Sequence, residues 1–220
     1  MSAIGEHYPE NVKLYVPDMA YAADVRYGGM GTINIEALVT ADADGILDGE
    51  SIATAVDTTT FNALYSDSVM GKFGRNVTVV SDGAATTTVT ITGKDYLNQP
   101  LVETLTLNGT TAVLGSKMFK RVDKVVAAVT AARTVDVGWG NKLGLPYKVE
   151  AMMLETVSGV VPANAGAMTA GSVATASATS SDARGFYAPH ANFVPNGTRT
   201  YELSCKFDQD NLHGIVQYGG

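Results

Sequence analysis

The chain has 220 residues, 45% of them hydrophobic, with 15 Lys and Arg against 22 Asp and Glu and a net charge of −7. That length carries one large domain or two small ones, and the apolar content is enough for a core and excludes general disorder. The acidic balance, with no run of Lys or Arg, repels phosphate and argues against nucleic acid as a direct partner.

Residues 1–31 read as an N-terminal arm. Tyr8, Tyr15, Tyr21 and Tyr27 are spread through it, and Pro9 and Pro17 break any helix. Two readings stand for these rings: packing on the chain's own core, or contact with a neighbouring subunit. The first ten residues lack a basic segment followed by an apolar run, so they do not read as a secretory signal. No apolar stretch approaches the roughly 20 residues of a membrane span. A soluble protein made in a reducing compartment is expected, without membrane contact.

Thr32 to Val39 alternates and reads as the first strand. Asp42 to Glu50 is acidic and carries Gly45 and Gly49. An EF-hand loop needs Gly at its sixth position and Glu at its twelfth, and Gly45 falls at the fourth counted from Asp42. A solvated turn is the expectation, with a bound cation left open because hard ions favour clustered carboxylates. Ser51 to Ser68 reads as a strand followed by a loop or a short helix bearing Phe61, Leu64 and Tyr65. Gly71 and Gly74 mark a turn or bulge before the next strand.

The stretch from Asn76 to Trp139 carries the strongest pattern. Asn76 to Val80, Thr88 to Thr92, Leu101 to Leu107, Ala112 to Leu114 and Thr134 to Trp139 alternate apolar residues with Thr and are rich in β-branched side chains. Period two with this composition marks half-buried strands. Val77, Val79, Val89, Ile91, Val135, Val137 and Trp139 are expected to face inward. Leu105 and Leu107 are expected on one face of their strand, with Val102, Thr104 and Thr106 on the other. Asp95 to Pro100 reads as a hairpin loop. Asn108-Gly109 reads as the two-residue turn of a hairpin into the Ala112 strand. Phe119 to Val129 fits a helix or a strand, and its neighbourhood favours the strand.

Gly138 to Pro146 reads as a glycine-punctuated turn whose spacing matches no nucleotide fingerprint. Tyr147 to Val157 reads as a long strand. Val161 to Ser181 is rich in Ala, Ser, Thr and Gly, buries little, and reads as a loop or arm. In the last segment Tyr201, Leu203, Cys205 and Phe207 share a face, so a C-terminal strand should return to the sheet.

Chemistry is sparse. The single cysteine, Cys205, cannot form an internal disulfide and reads as a small strand-packing residue; His213 is only its neighbour in sequence. His7, His190 and His213 show no zinc spacing, and no Ser lies in a nucleophile elbow. No catalytic, cofactor or metal residues are nominated, and the chain reads as a non-enzyme. Tyr96 and the pair Phe186 and Tyr187 are the candidates for a sugar-stacking platform.

The fold expected is an all-β sandwich, jelly-roll or immunoglobulin-like. It comprises an arm over 1–31, a body over 32–160, a loop or arm over 161–194, and a returning strand and tail over 195–220. Five blocks then carry a resemblance: Met70-Gly-Lys-Phe-Gly-Arg-Asn-Val-Thr-Val-Val80, Val89-Thr-Ile-Thr-Gly-Lys-Asp-Tyr-Leu-Asn-Gln-Pro100, Glu103-Thr-Leu-Thr-Leu-Asn-Gly-Thr-Thr111, Val135-Asp-Val-Gly-Trp-Gly-Asn-Lys-Leu-Gly-Leu-Pro146 and Pro195-Asn-Gly-Thr-Arg-Thr-Tyr-Glu-Leu203. Together they resemble tailed-bacteriophage virion structural proteins of the capsid decoration, or cement, type. The resemblance implies a non-enzymatic protein, made in the bacterial host cytoplasm, that binds the capsid exterior and locks adjacent capsomers. Its implied partners are the major capsid protein and further copies of itself, as a dimer or trimer, with Tyr8, Tyr15, Tyr21 and Tyr27 as contact residues. A neck or tail component and a carbohydrate-binding β-module are the alternatives.

Overall fold

A computed structural model describes residues 23–26, 29–129, 133–172 and 174–215. The expected contact residues Tyr8, Tyr15, Tyr21 and Tyr27 lie outside the described residues. The chain is an all-β sandwich of fourteen described strands. They are β1 (Ala23–Arg26), β2 (Met30–Ile35), β3 (Asp42–Ser51), β4 (Val56–Thr58), β5 (Arg75–Ser81), β6 (Thr88–Lys94) and β7 (Pro100–Thr106), then β8 (Val113–Phe119), β9 (Arg121–Ala127), β10 (Thr134–Gly144), β11 (Val149–Val157), β12 (Ala167–Ala170), β13 (Gly185–Ala188) and β14 (Tyr201–Phe207). One turn of 3-10 helix, Ala191–Phe193, precedes β14.

Three antiparallel sheets form. The first runs β1-β2-β14-β11 and the second β12-β13-β10-β5-β8, with β3 also on β10; the third runs β4-β9-β6-β7. The second and third sheets enclose one apolar core. Val77, Val79, Val89, Ile91, Val125, Val135 and Val137 are fully buried there with Phe119 and Trp139. Alternation puts every second residue of each strand into this layer, as the period-two pattern requires. Trp139 is a core residue whose indole N–H donates to Thr40 O at 3.0 Å. A second core lies under the first sheet and is more aromatic, with Phe73, Tyr147, Tyr187, Tyr201 and Phe207 among Ile33, Leu143 and Leu203. The returning strand is β14. It lies between β2 and β11, and Tyr201, Leu203, Cys205 and Phe207 point into the second core.

Three local expectations change. Asp42 to Glu50 is strand β3, not a turn. It pairs with β10 through two register shifts, and it inserts Ile46 and Leu47 into the first core while its carboxylates stay outside. An acidic composition hides a strand when only a short central stretch needs to be apolar. Gly138 to Gly144 is not a turn but the second half of β10. Its glycines permit close backbone approach: a Cβ on Gly138 would sit 1.9 Å from Asp42 O, and one on Gly144 would sit 2.0 Å from Phe73 O. Asn108 and Gly109 do turn, with Thr111 N donating to Asn108 O at 3.0 Å. Gly109 alone takes a positive φ, 57°, and no hairpin follows, because β7 pairs with β6 while β8 pairs with β5. The turn carries the chain from one sheet to the other. Of the two alternatives after β4, the Phe61 to Tyr65 region takes the loop, with Phe61 and Tyr65 against the first core and Leu64 exposed.

The remaining strands form with shifted bounds: the expected first strand is β2, which ends at Ile35 and follows β1 inside the expected arm, and the Tyr147 strand begins at Val149. Asp95 to Gln99 closes the β6–β7 hairpin, and Asn98 takes a φ of 60°. Phe119 to Ala127 is β, split at Lys120 between the end of β8 and β9, and the last two residues of the expected span, Ala128 and Val129, leave the strand. The stretch 161–194 is a correction: instead of a loop or arm it contains β12 and β13, which pair with each other and join the second sheet through β10, and its middle lies on the chain's own body.

Candidate functional site

Charged residues concentrate where sheets two and three fail to join. β7 and β8 are the facing edges, and the β8 amides there need acceptors from elsewhere. Glu103, on β7, supplies one: its Oε1 accepts from Ser116 N at 2.6 Å, Ser116 Oγ at 3.1 Å and Lys117 N at 3.2 Å. Asp182 supplies the next, accepting from Met118 N at 3.1 Å and Arg184 N at 2.9 Å. The Ala- and Ser-rich segment fills the gap between the two edges. Thr104 N donates to Ala178 O at 2.8 Å, Asp182 N donates to Ser116 O at 3.2 Å, and Lys117 Nζ donates to Ser177 O at 2.6 Å. Small side chains suit this slot because the backbone, not the side chain, makes the bonds.

Arg184 carries the seam toward the second core. Its Nη2 lies 2.8 Å from Asp95 Oδ2, with the two side chains 1% and 0% exposed. Its guanidinium stacks 4.8 Å above the Tyr96 ring, and the Tyr96 hydroxyl donates to Pro146 O. The other Asp95 oxygen accepts from Leu97 N at 2.9 Å and Gln99 N at 2.8 Å, which shapes the β6–β7 loop. On the far side, buried Arg75 donates from Nε to Gly140 O at 2.8 Å and from Nη1 to Val39 O at 2.9 Å. Tyr187 donates to Glu155, whose other oxygen accepts from Gly166 N at 2.7 Å.

Burial sets the electrostatics. Desolvation pushes the Glu103 carboxyl above its usual range, partly offset by the Ser116 and Lys117 donors. Desolvation raises Asp182 as well, against the pull of Arg184. It lowers Lys117 and Lys142, and takes Arg75 down to about 10. Glu103 Oε2, Arg75 Nη2 and Arg184 Nε and Nη1 are buried without a hydrogen-bond partner. The Cys205 thiol, buried in the second core, is pushed up to about 12 by desolvation, which keeps it a packing group rather than a nucleophile.

The other candidates do not converge. His190 Nδ1 accepts from Asn192 N at 3.3 Å and caps the 3-10 turn, while the His213 ring packs 5.6 Å from Tyr147. Phe186 and Tyr187 are buried, and Tyr96 is held under Arg184, so none of the three forms a stacking platform. On β3, Asp42 is raised by a hydrogen bond shared with Asp44 and by burial, and on the paired β10 Asp136 is raised by burial. Among the described residues no group of three or more His, Cys, Asp or Glu is placed to hold a metal ion. A shallow cleft of about 520 Å³ lies at the end of the first sheet, lined by Asn34, Glu36, Lys72, Thr200 and Glu202.

The seam was not anticipated from the sequence. One signal for it exists: Glu103 shares strand parity with the inward Leu101, and so sits where an apolar residue is expected. No family model, curated protein or solved structure matches this chain.

Proposed function

We propose that this chain is a non-enzymatic structural protein of a tailed-bacteriophage virion, bound to the capsid exterior, where it stabilises contacts between capsomers. The observation that carries this reading is the set of five sequence blocks, running from Met70 to Leu203, that resemble decoration proteins. The described architecture supports it in a second way. The strongest polar groups, Glu103, Asp182, Arg184, Asp95 and Arg75, are spent on backbone atoms and on each other, which braces a body without presenting reactive groups. The net charge of −7 suits a surface that never meets packaged DNA.

In this reading Tyr8, Tyr15, Tyr21 and Tyr27 supply contact area to the major capsid protein at little rotamer cost. The test mixes the full-length protein with undecorated heads and images the particles by cryo-electron microscopy. Density on the outer capsid surface is expected. Replacing the four tyrosines together by Ala should weaken head binding while leaving the circular-dichroism spectrum unchanged. Density on the tail or neck, or none on the particle, overturns the assignment.

A further inference from the structure

The first sheet has two dissimilar edges. β1 forms one, and residues 1–22 lead into it; β11 forms the other, and among the described residues no strand pairs with its far side. Four large apolar side chains stand exposed on or beside β11: Met153 at 62%, Leu154 at 48%, Val160 at 67% and Val161 at 60%. The turn at Ser158 and Gly159 folds Val160 back alongside the strand, where Val157 N donates to Val160 O at 2.8 Å. An open edge is normally blunted by Lys, Arg or Pro. None occurs from Val149 to Val161, and both carboxylates are engaged, Glu150 with Lys206 and Glu155 with Tyr187. Two bulges interrupt β11, between Val149 and Ala151 and between Met152 and Leu154, so the regular open run is short, over residues 154–156, with an apolar patch at its end.

A strand of matching chemistry lies in the same chain. Asn11 to Val16 alternates Val12, Leu14 and Val16 with Asn11, Lys13 and Tyr15, and Pro9 and Pro17 bound it. It has strand length, and prolines at both ends stop the pairing from spreading. We propose that this segment of one copy adds as a strand to β11 of a second copy, so that the arm links the first sheets of successive copies. Main-chain hydrogen bonds supply the affinity, and Val12, Leu14 and Val16 supply the apolar cover for Leu154, Val160 and Val161.

A second copy is favoured over the chain's own β11 by geometry. The two edges are three strand spacings apart, about 14 Å, with β2 and β14 between them. A chain entering β1 from its own β11 would have to cross the outer face of the sheet at a right angle and then turn. A chain arriving from beyond the β1 edge enters without crossing. The contact joins unlike edges, so it is heterologous and closes into a ring where the rotation permits. The inference does not rest on the capsid reading.

The test uses two full-length variants, one in the arm (Leu14→Pro) and one at the edge (Leu154→Lys with Val160→Lys). Mass is measured by light scattering without heads across a wide concentration range. The unmodified protein should be an oligomer and each variant alone a monomer. Their mixture should form a one-to-one heterodimer, because one partner keeps its edge and the other its arm. An unmodified protein that stays monomeric, as docking of the arm on its own β11 requires, overturns the proposal. So does a Leu14→Pro variant that still dimerises alone, as symmetric pairing of two β11 edges requires, and so does a mixture that stays monomeric. Val12→Lys and Val161→Lys replace either variant that loses its β circular-dichroism spectrum.

Discussion

The first core and the seam beside it are both buried, yet they are built from opposite chemistry. The core is Val, Ile and Leu in register across two sheets, so its side chains need only shape and volume. The seam is Glu103, Asp182, Arg184, Asp95 and Lys117, each tied to named donors or acceptors. The difference follows from topology. Inside the sheets, backbone groups satisfy one another and side chains are free to be apolar. Where β7 and β8 face each other unpaired, the backbone needs partners, and only polar side chains or another backbone segment can provide them. A sandwich that does not close thus acquires buried charge at the opening.

This contrast predicts unequal responses to truncation. The largest effect is expected from Arg184→Ala, which strands the buried Asp95 carboxylate and should cost about 3–5 kcal/mol, measured by urea unfolding. The double variant Arg184→Met with Asp95→Asn should recover more than half of that loss, since the amide oxygen still accepts from the loop. Failure to recover would mean that the charge itself, rather than its satisfaction, stabilises the seam. In the core, Ile91→Ala should cost about 3 kcal/mol through lost burial and a cavity, and no second polar change should rescue it.

Gly138→Ala probes the close approach of β3 and β10 in the wall of the first core. Its new methyl meets the Asp42 carbonyl, so β3 must shift off β10, at a cost of about 1–3 kcal/mol. Hydrogen exchange should show lost protection confined to β3 and its β10 partners; uniform loss would mean that the pairing is not locally adjustable.

The smallest effect is one of pH. Glu103 is raised in the folded state by burial. The folded state therefore holds that proton more tightly, and this contribution is fully present below the unfolded carboxylate range and lost as pH rises toward the raised folded value. Asp182 has the same sign, while the half-buried Asp208, lowered first by its hydrogen bond from Lys148, has the opposite one. Stability should fall as pH climbs out of the carboxylate range, and Glu103→Gln should flatten that slope in urea titrations. An unchanged slope would assign it to Asp182, Asp42 and Asp136, which are raised as well.

Most of the sandwich was legible one strand at a time. Val77, Val79, Val89 and Ile91 declared their face by alternation, and Tyr201 to Phe207 declared the returning strand, because period two is a local property. β3 was missed because burial of Ile46 and Leu47 alone does not make a visible alternation among Asp42, Asp44, Asp48 and Glu50. The seam was missed because its members come from β7, β8, the β6–β7 loop and the segment before β13, and no spacing links them. Asn108-Gly109 shows the same limit: the turn was visible, but the sheet its second strand would join was not.

By itself the sequence determined the all-β class, the inward faces of the strands and the inert packing role of Cys205, since each depends on residue type and short-range period. Only the tertiary structure decided that there are two cores, that glycines of β10 are thin points in a sheet rather than turns, and that the Ala- and Ser-rich segment seals the body. Those features depend on which strand edges meet. That is set by long-range backbone pairing, for which neighbouring residues in the chain carry no record.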